Sequence, residues 1–118
     1  RLRKGKTRMS NTYNLNINAG ADYKLGVTYS NTDLTGYAIR SQFRKKTDSA
    51  GFDLELTDGN GGFVFTDAAN GGFQMVISNA QTSALSGSYV YDIEIVSAGG
   101  EVTRVLCGHV EVSAEVTR

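Results

Sequence analysis

The sequence contains no proline and no tryptophan, and it has one cysteine and one histidine among its 118 residues. Because Cys107 has no second cysteine to pair with, no intramolecular disulfide can form and the fold must rest on packing. This cysteine usage fits folding in a reducing cytoplasm. No apolar run approaches the roughly 18 residues that a membrane-spanning helix needs, so we expect no role that crosses a bilayer.

The formal charge at pH 7 is zero, but the charges are unevenly distributed along the chain. Residues 9–118 carry 7 basic against 12 acidic groups and are therefore mildly acidic. We expect no nucleic-acid binding by this part, since a binding face needs clustered cations. A short basic arm precedes it and supports only weak, non-specific contact. Its five cations are Arg1, Arg3, Lys4, Lys6 and Arg8.

The longest alternating run predicts a β-hairpin over residues 87–112. Its first arm, residues 87–96, places four apolar side chains on one face, which is typical of a half-buried strand. The glycine-rich connection at 97–101 suits a tight reversal, and the return arm begins at Val102. Arg104 and Gly108 interrupt the apolar face of the return arm, and we expect a β-bulge near Gly108.

Further period-two runs cover residues 13–17, 23–29, 37–43, 52–57, 63–65 and 73–77. Between them, the turn Asp33–Tyr37 is expected to tuck Leu34 inward. One helical turn is expected at residues 80–85, capped by Ser78 or Asn79 and ended by Gly87, with Leu85 as an apolar plug.

These elements predict an all-β fold, namely an antiparallel immunoglobulin-like β-sandwich of seven to eight strands with one short helical turn. A closed barrel is the second choice. The order Gly87, Tyr89, Tyr91 also has the form of a tyrosine corner. The domain organisation is then a basic N-terminal arm at 1–12, a sandwich domain at 13–112 and a C-terminal tail at 113–118.

The only pair with nucleophilic or metal-binding character is Cys107 with His109, which share one strand face. Their Cβ atoms are expected to lie roughly 6–7 Å apart, too far for a close thiolate contact, and a structural zinc site needs four ligands. We therefore assign no catalytic, cofactor-binding or metal-binding residue and expect no enzyme. A metal site shared between subunits stays open.

Other candidate sites are better explained by structure. The carboxylate pairs Asp53 with Glu55 and Asp92 with Glu94 belong on solvent faces of strands. The turn Asp58–Gly62 has oxygen ligands but lacks the downstream Glu of a calcium loop, so it predicts a hairpin turn, as does Asp67–Gly72. The six tyrosines could form a carbohydrate platform, but most are in register with core residues.

Short motifs in a fixed order give a resemblance to a known group. They are Asp33–Tyr37, Tyr91–Ile95, Val102–Gly108 and Val110–Arg118. Over residues 13–118 the chain resembles small virion proteins of tailed bacteriophages, which are similar to the immunoglobulin-like modules of phage tails, baseplates and capsid decoration. The resemblance implies a structural subunit without enzymatic activity.

We therefore expect a non-enzymatic virion structural protein, a tail or baseplate component that assembles through edge strands and terminal arms. Its expected partners are other virion structural proteins in a symmetric or multi-copy assembly, with no membrane or nucleic acid. It would fold in the host cytoplasm and end in the virion. The alternatives are a capsid decoration protein and a carbohydrate-binding module for host attachment.

Overall fold

The computed structural model describes residues 11–116, which form two β-sheets with two short helical turns and confirm the all-β prediction. The predicted basic arm lies outside the described residues except for its last two positions, which form a strand. The strands of the described part are β1 (Asn11–Thr12), β2 (Leu15–Asn18), β3 (Tyr23–Thr28), β4 (Ala38–Arg44), β5 (Leu54–Thr57), β6 (Phe63–Asp67), β7 (Gly72–Ile77), β8 (Gly87–Val96) and β9 (Val102–Ser113). The helical turns are a 3-10 turn at Ala68–Asn70 and helix α1 at Asn79–Ser83.

The two sheets differ in size and in strand direction. The larger sheet has the order β1, β9, β8, β4, β5, and β2 follows β1 along the same edge of β9. The smaller sheet has the order β3, β7, β6. Within the described residues all pairings are antiparallel except those of β1 and β2, which run parallel to β9. The prediction of a purely antiparallel fold is therefore wrong at this edge. The chain passes from the larger to the smaller sheet between β2 and β3, so β2 does not pair with β3. Instead, the N-terminal strands β1 and β2 pair with the C-terminal strand β9.

A single apolar cluster fills the space between the sheets. Its members come from alternating positions of strands in both sheets, so the period-two pattern identified them correctly. Full burial of one such side chain contributes roughly 1.5–3 kcal/mol. The largest fully buried side chains are Phe43, Phe73, Leu15, Ile17, Leu34, Ile39, Leu56, Met75, Ile77, Ile93, Ile95 and Val110.

The predicted hairpin is confirmed as β8 paired with β9, from Gly87 opposite Val112 to Val96 opposite Val102. The reversal is closed by Ser97, whose backbone N–H donates to the carbonyl of Glu101 at 2.9 Å. β8 also pairs with β4 on its other side, so it lies at the centre of the larger sheet.

The bulge in this hairpin lies at Val105 and not near Gly108 as predicted. Ile93 pairs with Leu106 and Glu94 pairs with Arg104, which leaves Val105 as the extra residue of β9. Val105 and Leu106 are consequently both buried. The bulge also turns Arg104 to the outer face beside Glu94, so the predicted interruption of the apolar face by this arginine does not occur. Burying two apolar neighbours while keeping a guanidinium in water explains why the ladder is irregular here.

Gly108 has a different role, because the bend between β1 and β2 lies against β9 at this position. A Cβ atom on Gly108 would lie 2.4 Å from the carbonyl oxygen of Tyr13. The Tyr91 hydroxyl donates to that same oxygen at 2.5 Å, and His109 N–H donates to the side-chain oxygen of Asn14 at 3.0 Å. The chain bends at residues 13 and 14, which leaves the Tyr13 side chain 49% exposed. The predicted placement of Tyr13 with the core is therefore wrong.

We predict that Gly108→Ala destabilises the protein by about 1–3 kcal/mol, since the added methyl group displaces the bend between β1 and β2. Gly26→Ala is the matched control, because a Cβ atom there meets nothing within 4 Å, and we expect a neutral or slightly stabilising effect. Urea unfolding measures both free energies. Equal stabilities of the two variants would show that the close approach at Gly108 is unimportant.

Two predicted connections are confirmed. In the turn Asp33–Tyr37, the Thr35 N–H donates to an Asp33 carboxylate oxygen at 2.9 Å and Leu34 is fully buried. Ser78 caps α1 in a capping box with Gln81. Leu85 is buried as expected, but α1 ends at Ser83, so Gly87, with a φ of 79°, begins β8 and does not end the helix.

The two glycine-bearing turns have different topologies. Asp67–Gly72 joins β6 to β7 as a hairpin, as predicted. Asp58–Gly62 joins β5 in the larger sheet to β6 in the smaller one, so the prediction of a hairpin is wrong there. The turn is tightened by its own side chains: Asn60 accepts from the N–H of Thr57 at 2.9 Å and from that of Gly62 at 2.9 Å.

Among residues 11–116, Ser41 and Thr82 are the buried residues with aliphatic hydroxyl groups, and they differ in their hydrogen bonding. The Ser41 hydroxyl has no hydrogen-bond partner within the described residues. Thr82 of α1 accepts from Gly20 N–H at 3.0 Å and donates to the Ala21 carbonyl at 2.9 Å, which ties the helix to the β2–β3 turn.

We predict that Ser41→Ala leaves stability unchanged or raises it by up to about 1 kcal/mol, because a buried hydroxyl without a partner carries an uncompensated desolvation cost. Thr82→Val preserves shape but removes the paired hydroxyl, and it should cost about 1–3 kcal/mol. Thermal unfolding of both variants tests the contrast. A larger loss for Ser41→Ala than for Thr82→Val would contradict it.

Candidate functional site

The outer face of the larger sheet brings together four of the candidate side chains that sequence patterns singled out. Asp92 and Glu94 of β8 lie on this face, as predicted, and Cys107 and His109 of β9 lie beside them. Cys107 is directly opposite Asp92 in the strand pairing, and His109 is opposite Val90. Among residues 11–116 no group of three or more His, Cys, Asp or Glu side chains could hold a metal ion.

The other predicted carboxylate pair does not form a unit. Asp53 precedes β5 and is exposed, with its backbone N–H bonded to the Phe43 carbonyl at 2.8 Å. Glu55 lies within β5 and accepts a hydrogen bond from the Gln42 amide at 2.9 Å. The two acidic residues therefore have separate surroundings.

The tyrosines pack on the core and do not form an exposed platform. Tyr89 and Tyr91 are buried, and three others are half-buried against the cluster, so the prediction of core use is confirmed for all but Tyr13. The Tyr89 hydroxyl accepts from the Ser86 N–H, three residues upstream, at 2.9 Å, which is the contact of a tyrosine corner. The Lys45 ammonium lies 4.0 Å from the centre of the Tyr89 ring.

A groove of about 720 Å³ crosses the outer face of the larger sheet. Side chains of β4, β5, β8 and β9 line it, with Thr12 of β1 and Thr47 of the β4–β5 connection at its borders. Sequence reasoning missed this groove, because the outward positions of four strands can be aligned only once the strand order and registers are known. The bulge at Val105 contributes directly, since it brings Arg104 to this face.

Charged side chains line the groove in cross-strand rows. In the first row Glu94 lies between Arg40 and Arg104, and the Arg40 Nε atom is 2.8 Å from a Glu94 carboxylate oxygen. This ion pair is partly exposed and contributes at most about 1 kcal/mol. The second row contains Gln42 between Glu55 and Asp92.

Asp92 of the groove has a raised pKa. Its partial burial raises the pKa of its carboxyl group, and the neighbouring negative charge of Glu94 raises it further. Arg104, Arg40 and Arg44 act in the opposite direction but do not cancel the effect. Because the folded protein holds this proton more tightly than the unfolded chain does, ionised Asp92 lowers stability above its folded pKa, and this penalty fades at lower pH.

We predict that Asp92→Asn raises the stability of the folded protein at pH 7 relative to the parent chain. The gain should shrink as the pH falls through the folded pKa of Asp92 and vanish below its ordinary value, because both chains then carry a neutral group. Chemical denaturation at several pH values measures this difference. Asp48→Asn, at an exposed loop position, is the control, and an identical pH profile for both variants would contradict the expectation.

The arrangement places hydrogen-bond donors and acceptors side by side on the outer face of the larger sheet. No protein-family model matches the chain, and no curated protein matches it at a significant level. The resemblance to phage virion proteins therefore stays a prediction. Within the described residues, no helix has the length and apolar character to cross a membrane.

Proposed function

We propose that the two packed sheets form an immunoglobulin-like β-sandwich and that the chain is a non-enzymatic structural subunit of a bacteriophage virion. The strand orders support the fold assignment. The smaller sheet, β3–β7–β6, corresponds to strands B, E and D, and the series β9–β8–β4–β5 corresponds to G, F and C with one added strand. β8 then takes the place of strand F, where a tyrosine corner is expected, and Tyr89 makes that contact.

The observation that carries the functional proposal is the unpaired edge formed by β6, Phe63–Asp67, which we call the β6 edge and which pairs regularly with β7 up to a bulge between Phe65 and Asp67. One side of this strand pairs with β7 and no described strand pairs with the other. Val64 on its outer face is 48% exposed. The strand contains no lysine or proline, the residues that commonly blunt a sheet edge. Its free backbone groups can therefore extend the sheet with a strand from another subunit.

The surroundings of the β6 edge suit a protein partner. The smaller sheet has two charged residues in its three strands, Lys24 and Asp67, so its outer face loses little hydration energy on contact. Phe52 is 48% exposed and precedes β5, the edge strand that the Asp58–Gly62 turn connects to β6. The virion itself is inferred from the sequence resemblance, with a tail or baseplate location first and capsid decoration as the alternative.

We predict that Val64→Lys reduces incorporation of the chain into particles at least about tenfold, since a lysine on the edge opposes strand addition and costs about 1.4 kcal/mol or more of binding free energy. Thr28→Lys is the matched control, because it adds the same charge to the same face of the smaller sheet at the opposite edge strand, β3. Quantitative mass spectrometry of purified particles measures the copy number of each variant.

Two results would contradict the proposal in separable ways. Particles that contain no parent chain would remove the virion function. Particles that take up the Val64→Lys chain as well as the parent chain would remove the β6 edge as the contact, while the virion function would stand. Unchanged thermal unfolding of the variants shows that any loss reflects assembly and not folding.

A further inference from the structure

The groove on the outer face of the larger sheet has a set of polar side chains that hold one another in place. The Arg44 guanidinium donates to the Gln42 side-chain oxygen at 2.6 Å and to the Ser49 carbonyl at 2.7 Å. Gln42 in turn donates to Glu55 at 2.9 Å. This chain of hydrogen bonds fixes the orientation of the Gln42 amide, and a ligand would meet groups that are already ordered.

The same side chains keep unused hydrogen-bonding capacity. A carboxylate offers about four acceptor sites and a guanidinium five N–H donors, so the pairs Gln42 with Glu55 and Arg40 with Glu94 leave several of each open. The Asp92 carboxylate, which also lines the groove, accepts no hydrogen bond from the described residues and is partly buried. Donors and acceptors therefore alternate along the groove.

The balance of charge decides which ligand class fits. The groove is lined by three arginines and three carboxylates, so its formal charge is zero with a neutral histidine. A polyanion such as a nucleic acid would need an excess of cations. A strongly cationic ligand would meet the arginines. A neutral ligand rich in hydroxyl groups avoids both the repulsion by the carboxylates and the repulsion by the arginines. Each of its hydroxyl groups can donate to a carboxylate and accept from a guanidinium.

We propose that this groove binds a neutral oligosaccharide through hydrogen bonds to Gln42, Asp92 and Arg104. Its volume of about 720 Å³ lies within the range of roughly 300–1,000 Å³ that small-ligand sites occupy. The tyrosine that contributes to the lining, Tyr91, points its hydroxyl to the Tyr13 carbonyl, so ring stacking supplies little of the binding. We expect an oligosaccharide that is bound by these hydrogen bonds alone to have a dissociation constant of about 1 mM.

This site is distinct from the β6 edge and does not rest on the virion function. The charged and amide side chains of the groove named above lie on β4, β5, β8 and β9, whereas β6 belongs to the smaller sheet. The two proposals can therefore fail separately. A Val64→Lys chain should bind the oligosaccharide as well as the parent chain does.

The test is an NMR titration of the full chain with neutral trisaccharides of glucose, galactose, mannose and N-acetylglucosamine in both anomeric linkages, at up to about ten times the expected 1 mM dissociation constant. We expect saturable amide shifts with at least one of them, confined to β4, β5, β8 and β9. Gln42→Ala should weaken binding about tenfold, because it removes a hydrogen bond to the sugar and also the amide that links Arg44 to Glu55. Arg104→Ala should weaken it to a similar degree.

Gln74→Ala is the matched control, since Gln74 is also a half-buried glutamine on a central strand but lies on the outer face of the smaller sheet. Its affinity should equal that of the parent chain. Absence of saturable shifts with every trisaccharide, or shifts that map to the smaller sheet, would overturn the proposal. Tighter binding of heparin or duplex DNA than of every neutral sugar, in the same groove, would also overturn it.

Discussion

The contact between the first strands and Gly108 is the constraint on which the rest of the fold depends. β1 and β2 continue in one register along β9, and the bend between them passes directly over a residue without a side chain. The Tyr91 hydroxyl holds the bend by its bond to the Tyr13 carbonyl, and burial raises the pKa of this phenol so that it remains a donor. Leu15 and Ile17 are thereby fixed in the core, and β3 is directed into the other sheet.

The bulge at Val105 is the second local irregularity with a wide effect. It lets β9 bury Val105 and Leu106 together, and beyond it the alternation of the strand is reversed. Without this reversal Arg104 would point into the apolar cluster, at the cost of burying an uncompensated charge. With it, Arg104 lies next to Glu94 and completes the first charged row of the groove. This one extra residue therefore allows Val105 and Leu106 to be buried together and places Arg104 in the groove.

The sequence predicts the individual strands well, and it predicts their assembly less well. Alternation identified the β8–β9 hairpin and the buried faces, and the turn residues around it identified Leu34, since each depends on neighbours close in the chain. Two features depended on distant contacts and were missed. The parallel pairing of β2 with β9 joins segments about 95 positions apart, and the groove requires the registers of four strands at once. The bulge was expected at Gly108 because a glycine within a strand commonly marks a bulge, whereas the sign that located it was Arg104 on the apolar face, next to Val105.

The outer faces of the two sheets differ in the desolvation free energy that a binding partner must overcome to cover them. On the larger sheet, the groove is lined by arginines and carboxylates. A flat protein surface that covered them would have to remove water from every charge. Each charge left without a partner would then cost on the order of several kcal/mol of binding free energy. A small hydroxylated ligand avoids this cost because it replaces water group by group. On the smaller sheet, Val64, Thr66 and Gly26 expose no charged group that would be strongly hydrated. The unpaired edge of β6 supplies directional hydrogen bonds. The physical chemistry of the two faces thus favours a protein neighbour on the smaller sheet and a soluble ligand on the larger one.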